Sequence, residues 1–211
     1  MIKKLQALKA KKGFTLVELV VVIAIIGVLA AILVPTMIGV VQDSRVTSSN
    51  TTASQIKTQA TTWLTKMDAA KKTLKGPADG SPFTVSVTVG ASGATDGNGN
   101  PDWVPTVSDG TSFLTGAGTA AAWDGDDVNY NFAAFMADAL RDFKAGSVQL
   151  TIQNGGVIGV AVVEGDTAFA GSWPGETIWT SGEFNFGGSK AGVLADSTIM
   201  GTSPALALVT T

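Results

Sequence analysis

The most prominent pattern along the chain is a long apolar run near its start. Residues 19–42 form a stretch of 24 positions without a single charged side chain. A helix rises about 1.5 Å per residue, so a helix of this length can cross a hydrocarbon core of about 30 Å. The run therefore predicts a helix that is apolar on every side and long enough to span a membrane.

A one-sided pattern follows the apolar run. Apolar or small residues recur at intervals of three or four, as in one face of an amphipathic helix. These positions are Val46, Ala53, Ile56, Ala60, Trp63, Met67, Ala70 and Leu74. Lysines, Gly76 and Pro77 then form a helix stop signal. One continuous helix is therefore predicted from about Phe14 to about Lys75.

Strand patterns dominate the remainder of the chain. Residues 82–89 alternate apolar and polar, and residues 147–165 contain two strand-like runs around Asn154-Gly155-Gly156, which is typical of a hairpin turn. Residues 176–186 predict a further strand pair or a bent strand. Residues 126–146 predict a short helix that ends at Gly146. Its apolar stripe is Val128, Phe132, Phe135, Met136, Leu140 and Phe143.

These elements predict an α+β protein in which a long N-terminal helix packs on an antiparallel β-sheet head. The expected divisions are a leader at residues 1–13, an apolar helix at 14–41, an amphipathic helix at 42–76 and a β-rich head at 77–211. Residues 90–127 are rich in Gly, Thr, Asp and Ala and are interpreted as a long variable loop. Residues 190–211 show no clear pattern.

Composition removes several classes of function. The chain contains no cysteine and no histidine, which excludes disulfides, thiolate metal sites and most nucleophile–base pairs. Five of the 14 basic residues precede Gly13, and the rest of the chain has a net charge of −8. The lysine leader is expected to stay cytoplasmic. The acidic remainder argues against nucleic acid as a partner.

Two features of the N-terminus do not fit an ordinary secretory signal. Glu18 lies at the start of the apolar run, where a carboxylate costs roughly 2.5–3.5 kcal/mol on membrane-insertion scales. The Gly13–Phe14 junction precedes the apolar run, whereas an ordinary signal is cut after it. A functional role for Glu18 is therefore expected.

The segment KKGFTLVELVVVIAIIGVLAAILVP resembles the N-terminus of type IV pilins and their relatives, the type II secretion pseudopilins. The resemblance covers about residues 11–41 and rests on Gly13, Phe14, Glu18, Gly27 and Pro35. It implies that a prepilin peptidase cuts after Gly13 and methylates the new amine of Phe14. Many pilin heads carry a C-terminal disulfide loop, which this cysteine-free chain cannot form.

The resemblance also implies an assembly mechanism. The apolar helix would first hold the subunit in the cytoplasmic membrane and then, with the inner-membrane pilus assembly machinery, join identical subunits in a helical filament at the cell surface. Glu18 would pair with the Phe14 amine and fix the axial register, because opposite charges about 4 Å apart attract by about 4 kcal/mol at an effective dielectric near 20. Gly27 and Pro35 would allow the helix to bend or melt during assembly.

The sequence leaves other functions open beside a major pilin for adhesion or motility. One is a pseudopilin of a type II secretion or DNA-uptake machine. Another is an adhesin on the pilin scaffold that binds polysaccharide. A third is a membrane-anchored surface protein that never polymerises. The plain alternative for Glu18 is a carboxylate tolerated at the membrane edge.

Two candidate ligand sites fall in the head. Asp96, Asn98, Asn100 and Asp102 alternate like the first oxygen ligands of a calcium loop. Pro101 replaces the expected glycine, and an ordinary solvated turn explains the same residues. Calcium is the one cofactor that the sequence suggests.

Four tryptophans supply the second candidate site, a polysaccharide-stacking face. They are Trp103, Trp123, Trp173 and Trp179. The alternative is that they pack beneath loops. No nucleotide-binding or hydrolase motif accompanies them, so no enzymatic activity and no catalytic residue are expected.

Overall fold

The fold is described from a computed structural model that covers residues 14–70, 80–90, 103–107, 132–175 and 177–209. Contacts divide the chain into two units, Met1–Asp43 and Ser44–Thr211. The first helix, α1 (Leu16–Ala69), contributes to both units. It begins two residues after the predicted start. Its predicted continuation to Lys75 falls on residues 71–79, which lie outside the described residues.

The first unit consists, where described, of the apolar part of α1. Every large apolar side chain from Phe14 to Val41 is exposed, with between 44% and 77% of its surface accessible. Among the described residues, α1 is the one helix long and apolar enough to cross a membrane. The described part of the chain therefore leaves the apolar side chains of this segment unburied.

The second unit is built on a five-stranded antiparallel sheet. Its strands are β1 (Phe83–Val89), β2 (Trp103–Val107), β3 (Gly146–Gln153), β4 (Gly156–Glu164) and β8 (Met200–Ser203), in the order β2-β1-β3-β4-β8. The predicted hairpin joins β3 to β4, and its turn residues Asn154 and Gly155 both have positive φ. The predicted α+β class is confirmed.

One face of the sheet packs on α1. The apolar side chains of β1 alternate with polar ones, and those of β3 do the same in register with them. They meet the α1 residues Ala53, Ile56, Ala60, Trp63, Leu64 and Met67, all of which are at most 5% exposed. The second helix, α2 (Phe132–Ala139), closes this core with Phe132 in edge-to-face contact with Trp63 at 5.1 Å. The amphipathic stripe predicted from the sequence is thus the face that α1 buries.

The other face of β4 is covered by the C-terminal part of the chain. This part contains the short elements α3 (Ile178–Ser181), β5 (Glu183–Phe184), β6 (Gly187–Lys190), β7 (Val193–Leu194) and β9 (Ala207–Leu208). Trp179 lies flat on Gly159 of β4, where a Cβ atom would sit only 1.9 Å from the indole ring. A second apolar cluster forms around Ala161, Val163, Phe184 and Met200.

The outer edge of β8 is closed by contacts with α1 and with a neighbouring turn. Thr202 N–H donates to Asn50 Oδ1 of α1 at 2.8 Å, and Met200 N–H donates to the Gly192 carbonyl at 2.9 Å. Gly201 approaches the backbone of Ser49 so closely that a Cβ atom would lie 2.2 Å from it. These contacts fix α1 to the sheet and satisfy backbone groups that an open edge would leave unpaired.

Three sequence predictions are corrected by this fold. Residues 90–127 contain strand β2, although their composition indicated a loop. Residues 177–186 contain the one-turn helix α3 and the two-residue strand β5 in place of the predicted strand pair or bent strand. The helix predicted over 126–146 ends at Ala139, and Gly146 begins β3 because its backbone pairs with β1 and β4.

Candidate functional site

The N-terminus of α1 is organised by two side chains, Thr15 and Glu18. Thr15 N–H and Thr15 Oγ1–H both donate to Glu18 Oε2, at 2.9 and 2.7 Å. In return, Glu18 N–H donates to Thr15 Oγ1 at 3.2 Å. This reciprocal pattern is a capping box, in which an N-cap threonine and a glutamate three residues later satisfy each other's backbone N–H groups.

The capping box explains how a carboxylate is accommodated at the start of an apolar helix. Its oxygen Oε2 accepts two hydrogen bonds, and its negative charge lies at the positive end of the helix dipole. Glu18 was predicted from the sequence as a functional residue, and Thr15 was not. The Thr-x-x-Glu spacing that precedes the apolar run was the signal that could have identified it.

The other predicted residues of the N-terminal site have different outcomes. Phe14 is 77% exposed and lies just before the cap residue Thr15. Gly13 lies outside the described residues. Glu18 and Phe14, the residue that would carry the new amine, are therefore close in sequence at the start of α1. The cleavage itself stays a prediction.

Gly27 and Pro35 lie inside the helical span of α1. A Cβ atom on Gly27 would meet nothing within 4 Å. The Thr36 hydroxyl donates to the Leu33 carbonyl at 2.8 Å, next to the position where Pro35 lacks a donor. The carbonyl that Pro35 leaves without its helical donor is that of Ala31, four residues earlier, so this hydroxyl does not replace the missing bond. The predicted flexibility of this segment stays a prediction.

The head positions Lys57 of α1 against a β-bulge. Gly159 pairs with Thr151 and Val157 pairs with Ile152, which leaves Ile158 as an extra residue in β4. Lys57 Nζ donates to the Ile158 carbonyl at 2.9 Å. Partial burial lowers the pKa of Lys57 below its usual value, because water no longer fully solvates its ammonium group. This contact was not predicted from the sequence.

The tryptophan face predicted for polysaccharide is wrong for two of its four residues. Trp103 is 1% exposed and packs against Phe143 at 5.6 Å. Trp179 is 8% exposed, and its Nε1–H donates to Thr151 Oγ1 at 2.8 Å. Both rings are buried because removing a large aromatic surface from water lowers the free energy of the folded chain. Trp173 is half-buried against Phe169 at 4.8 Å.

The remaining candidates lie outside the described residues. These are Trp123 and the calcium candidates Asp96, Asn98, Asn100 and Asp102. Within the described part of the chain, no three carboxylates come close enough to hold a metal ion. The calcium prediction is therefore neither supported nor contradicted.

Comparison with known proteins gives matches at both ends of the chain. Residues 8–34 match the family described as a prokaryotic N-terminal methylation motif. Residues 46–207 match a domain of unknown function, DUF5021. Fimbrial protein Q of Moraxella bovis is 32% identical over 136 residues, which cover 64% of this chain and 82% of that protein.

Other fimbrial proteins match a shorter length of the chain at higher identity. A fimbrial protein of Pseudomonas aeruginosa is 47% identical over 53 residues, and one of Moraxella nonliquefaciens is 46% identical over 55. These matches cover 25% and 26% of this chain, and 34% and 36% of the relatives. The chain thus spans only about a third of the length of these two proteins. No solved structure gives a significant match.

Proposed function

This chain belongs to the type IV pilins and carries the DUF5021 domain, and we propose that it is the major subunit of a surface filament. In this proposal a prepilin peptidase cuts after Gly13 and methylates the amine of Phe14. The mature chain waits in the cytoplasmic membrane and then polymerises through residues 14–41. The acidic head is displayed on the outside of the filament and serves adhesion or motility.

The observation that carries the proposal is the contrast in exposure along α1. The large apolar side chains from Phe14 to Val41 are all exposed, although the same chain buries a complete core in its head. Exposed apolar surface on this scale is unfavourable in water at roughly 25 cal/mol per Å². A lipid bilayer removes it from water before assembly, and the helices of identical subunits remove it afterwards.

Glu18 has two successive roles in this proposal. Before cleavage, Thr15 holds its carboxylate at the first turn of α1. After cleavage, the cationic amine of Phe14 lies at the same helix end, so a carboxylate of the same or a neighbouring subunit becomes its natural partner. An ion pair of this kind inside a filament core would fix the axial register, because removing either charge leaves the other buried without a partner.

The head supports a structural role in this proposal. The relatives of the chain are named fimbrial proteins, and we expect no enzymatic activity. Calcium remains a proposed ligand of Asp96, Asn98, Asn100 and Asp102. If calcium binds there, it should raise the midpoint of thermal unfolding, and the Asp96→Asn, Asp102→Asn double variant should lose that increase.

The test of this function is the mass of the N-terminus in material sheared from the cell surface. The proposal predicts filaments whose subunits begin with methylated Phe14. Subunits that begin at Met1 and stay in the membrane fraction would contradict it and support a plain membrane anchor. A processed subunit found in short periplasmic filaments would indicate a pseudopilin instead.

A further inference from the structure

The face of the sheet that is turned away from α1 carries a grid of neutral polar side chains. The apolar residues of β1 and β3 pack in one core with α1, so the residues between them lie on the opposite, outer face. Strand pairing sets three residues of β1 against three of β3. The pairs are Thr84 with Thr151, Ser86 with Gln149, and Thr88 with Ser147. None of the six is charged, so the grid offers only hydroxyl and amide groups.

The two rows of the grid differ in accessibility. Ser86, at the centre of the β1 row, is exposed. The β3 row is buried beside the segment that follows β4. The Phe169 N–H donates to Ser147 Oγ at 3.2 Å, and the Trp179 Nε1–H donates to Thr151 Oγ1 at 2.8 Å. The outer face is therefore an open polar surface with the segment after β4 along one side.

The centre of the buried row is an amide without a hydrogen-bond partner. Gln149 is 9% exposed, and its Oε1 is buried without a partner. Its Nε2 also donates to no residue in the described part of the chain. Buried polar groups are nearly always paired, so an unpaired one indicates a missing ligand or water. Because the last side-chain torsion of glutamine is broad, the amide can turn either its donor or its acceptor toward a ligand beside Ser86.

Two partly accessible aromatic rings lie next to this grid. Phe169 and Trp173 contact each other edge to face at 4.8 Å, and the hydrogen bond to Ser147 holds Phe169 beside the β3 row. Both rings are half-buried, whereas Trp103 and Trp179 are at most 8% exposed. Aromatic rings pack against the C–H faces of sugar rings, while hydroxyl and amide groups bond to sugar hydroxyls. Anions and metal ions instead require charged ligands, which the grid lacks.

We propose that the outer face of β1 and β3 binds a neutral chain of β-1,4-linked pyranose sugars. Gln149 and Ser86 form hydrogen bonds with sugar hydroxyls, and Phe169 and Trp173 contact an apolar ring face. In β-1,4-linked rings of the glucose type every large substituent is equatorial, so the ring faces present C–H groups to the aromatic side chains. This inference goes beyond the proposed function. It concerns the second unit alone and depends on neither cleavage nor polymerisation.

The experiment uses the full chain in a detergent without sugar groups, such as dodecylphosphocholine. Saturation-transfer difference NMR measures the binding of two neutral chains, cellohexaose and chitohexaose, and of the acidic chain hexagalacturonate. At least one neutral chain should bind, and hexagalacturonate should bind at least about fivefold more weakly, because no cation on the grid offsets the desolvation of its carboxylates. Binding of neither neutral chain, or equal binding of the acidic one, would overturn the proposal.

Gln149→Met tests the central residue of the grid. Methionine has a similar length but no amide, so the variant should bind the neutral chain at least about fivefold more weakly, the value of one neutral hydrogen bond. Because no described residue pairs with this amide, the variant without sugar should keep or raise the midpoint of thermal unfolding. Unchanged binding would show that the amide meets only water. Lost binding together with a lower midpoint would show a structural role, and both results contradict the assignment.

Two exposed serines on opposite sides of the sheet provide a matched control. Ser86→Ala should weaken binding about two- to fivefold, whereas Ser54→Ala should leave it unchanged, because Ser54 belongs to α1 on the other face. Trp173→Leu should weaken binding of the neutral chains by removing an aromatic surface. Equal effects of the two serine variants, or wild-type binding by Trp173→Leu, would exclude this face as the site.

Discussion

The two parts of α1 have the same secondary structure but differ in the exposure of their apolar side chains. From Phe14 to Val41 the large apolar side chains are exposed on every side. From Ser49 to Met67 one stripe is buried in the head, and the opposite face carries exposed threonines such as Thr51 and Thr58. One helix thus presents two kinds of surface, each of which requires a different environment.

Burial within the chain and exposed apolar surface therefore relate to two separate properties, the folding of the head and the location of the subunit. The buried stripe determines how the head folds, because its contacts lie within one chain. In the proposed function, the exposed apolar surface determines where the subunit resides and which subunits it joins, because no residue in the described part of the chain covers it. Substitutions in the two parts should therefore affect different measurements.

The largest expected effect is that of Trp63→Ala in the buried stripe. Trp63 is fully buried and contacts Phe132, so its loss should lower the free energy of unfolding of the head by about 3–5 kcal/mol. Urea unfolding in detergent, followed by circular dichroism, measures it. The matched control is Leu29→Ala, since Leu29 is 53% exposed and should leave head stability unchanged. Equal losses in the two variants would contradict the comparison.

A smaller effect is expected at the glycines of the two units. Gly201→Ala should destabilise the head by about 1–3 kcal/mol, because the new Cβ would lie 2.2 Å from the Ser49 backbone, which cannot rotate away. In Gly27→Ala the new Cβ atom would have no neighbour within 4 Å, and the substitution should stabilise the helical conformation by about 1 kcal/mol. Thermal unfolding measures the first effect, and filament yield measures the second. A Gly201→Ala head as stable as the wild type would show that α1 is not fixed tightly to β8.

The smallest effect concerns Lys57. Lys57→Met removes the hydrogen bond to the Ile158 carbonyl and should cost about 1 kcal/mol. Because burial lowers the pKa of Lys57 in the folded head, the unfolded chain holds this proton more tightly. The wild type should therefore gain stability as pH rises from the lowered pKa toward the usual value of 10.5. Lys57→Met should lack this gain, and identical alkaline pH profiles would exclude the mechanism.

The elements with strong periodicity were predictable from the sequence. The burial stripe of α1 and strand β1 follow from spacing, since α1 buries every third or fourth residue and β1 buries alternate residues. Strands β3 and β4 are buried at nearly every position and were predictable from the strand-like runs on either side of the Asn154-Gly155-Gly156 turn. Strand β2 was missed because the Gly-, Thr-, Asp- and Ala-rich composition around it indicated a loop, and the strand is established by its pairing with β1. The one-turn helix α3 was missed because its contacts are with distant residues such as Gly159.

The candidate sites were predictable only where their residues are neighbours in the chain. Glu18 was identified by its cost in an apolar run, and the Thr15 cap follows a recognisable spacing. The tryptophans were misjudged because exposure depends on tertiary packing, which buries Trp103 and Trp179. The contact between Lys57 and the Ile158 carbonyl was not identified, because the two residues lie 101 positions apart in the chain.

The most direct test of the account is the assembly of a Glu18→Gln variant. Glutamine preserves the capping box with Thr15 but removes the negative charge. The account predicts that the variant is membrane-bound and folded yet forms few or no surface filaments, because the Phe14 amine then has no carboxylate to meet. Wild-type amounts of filament on Glu18→Gln cells would contradict it, since Glu18 would then serve only as a helix cap.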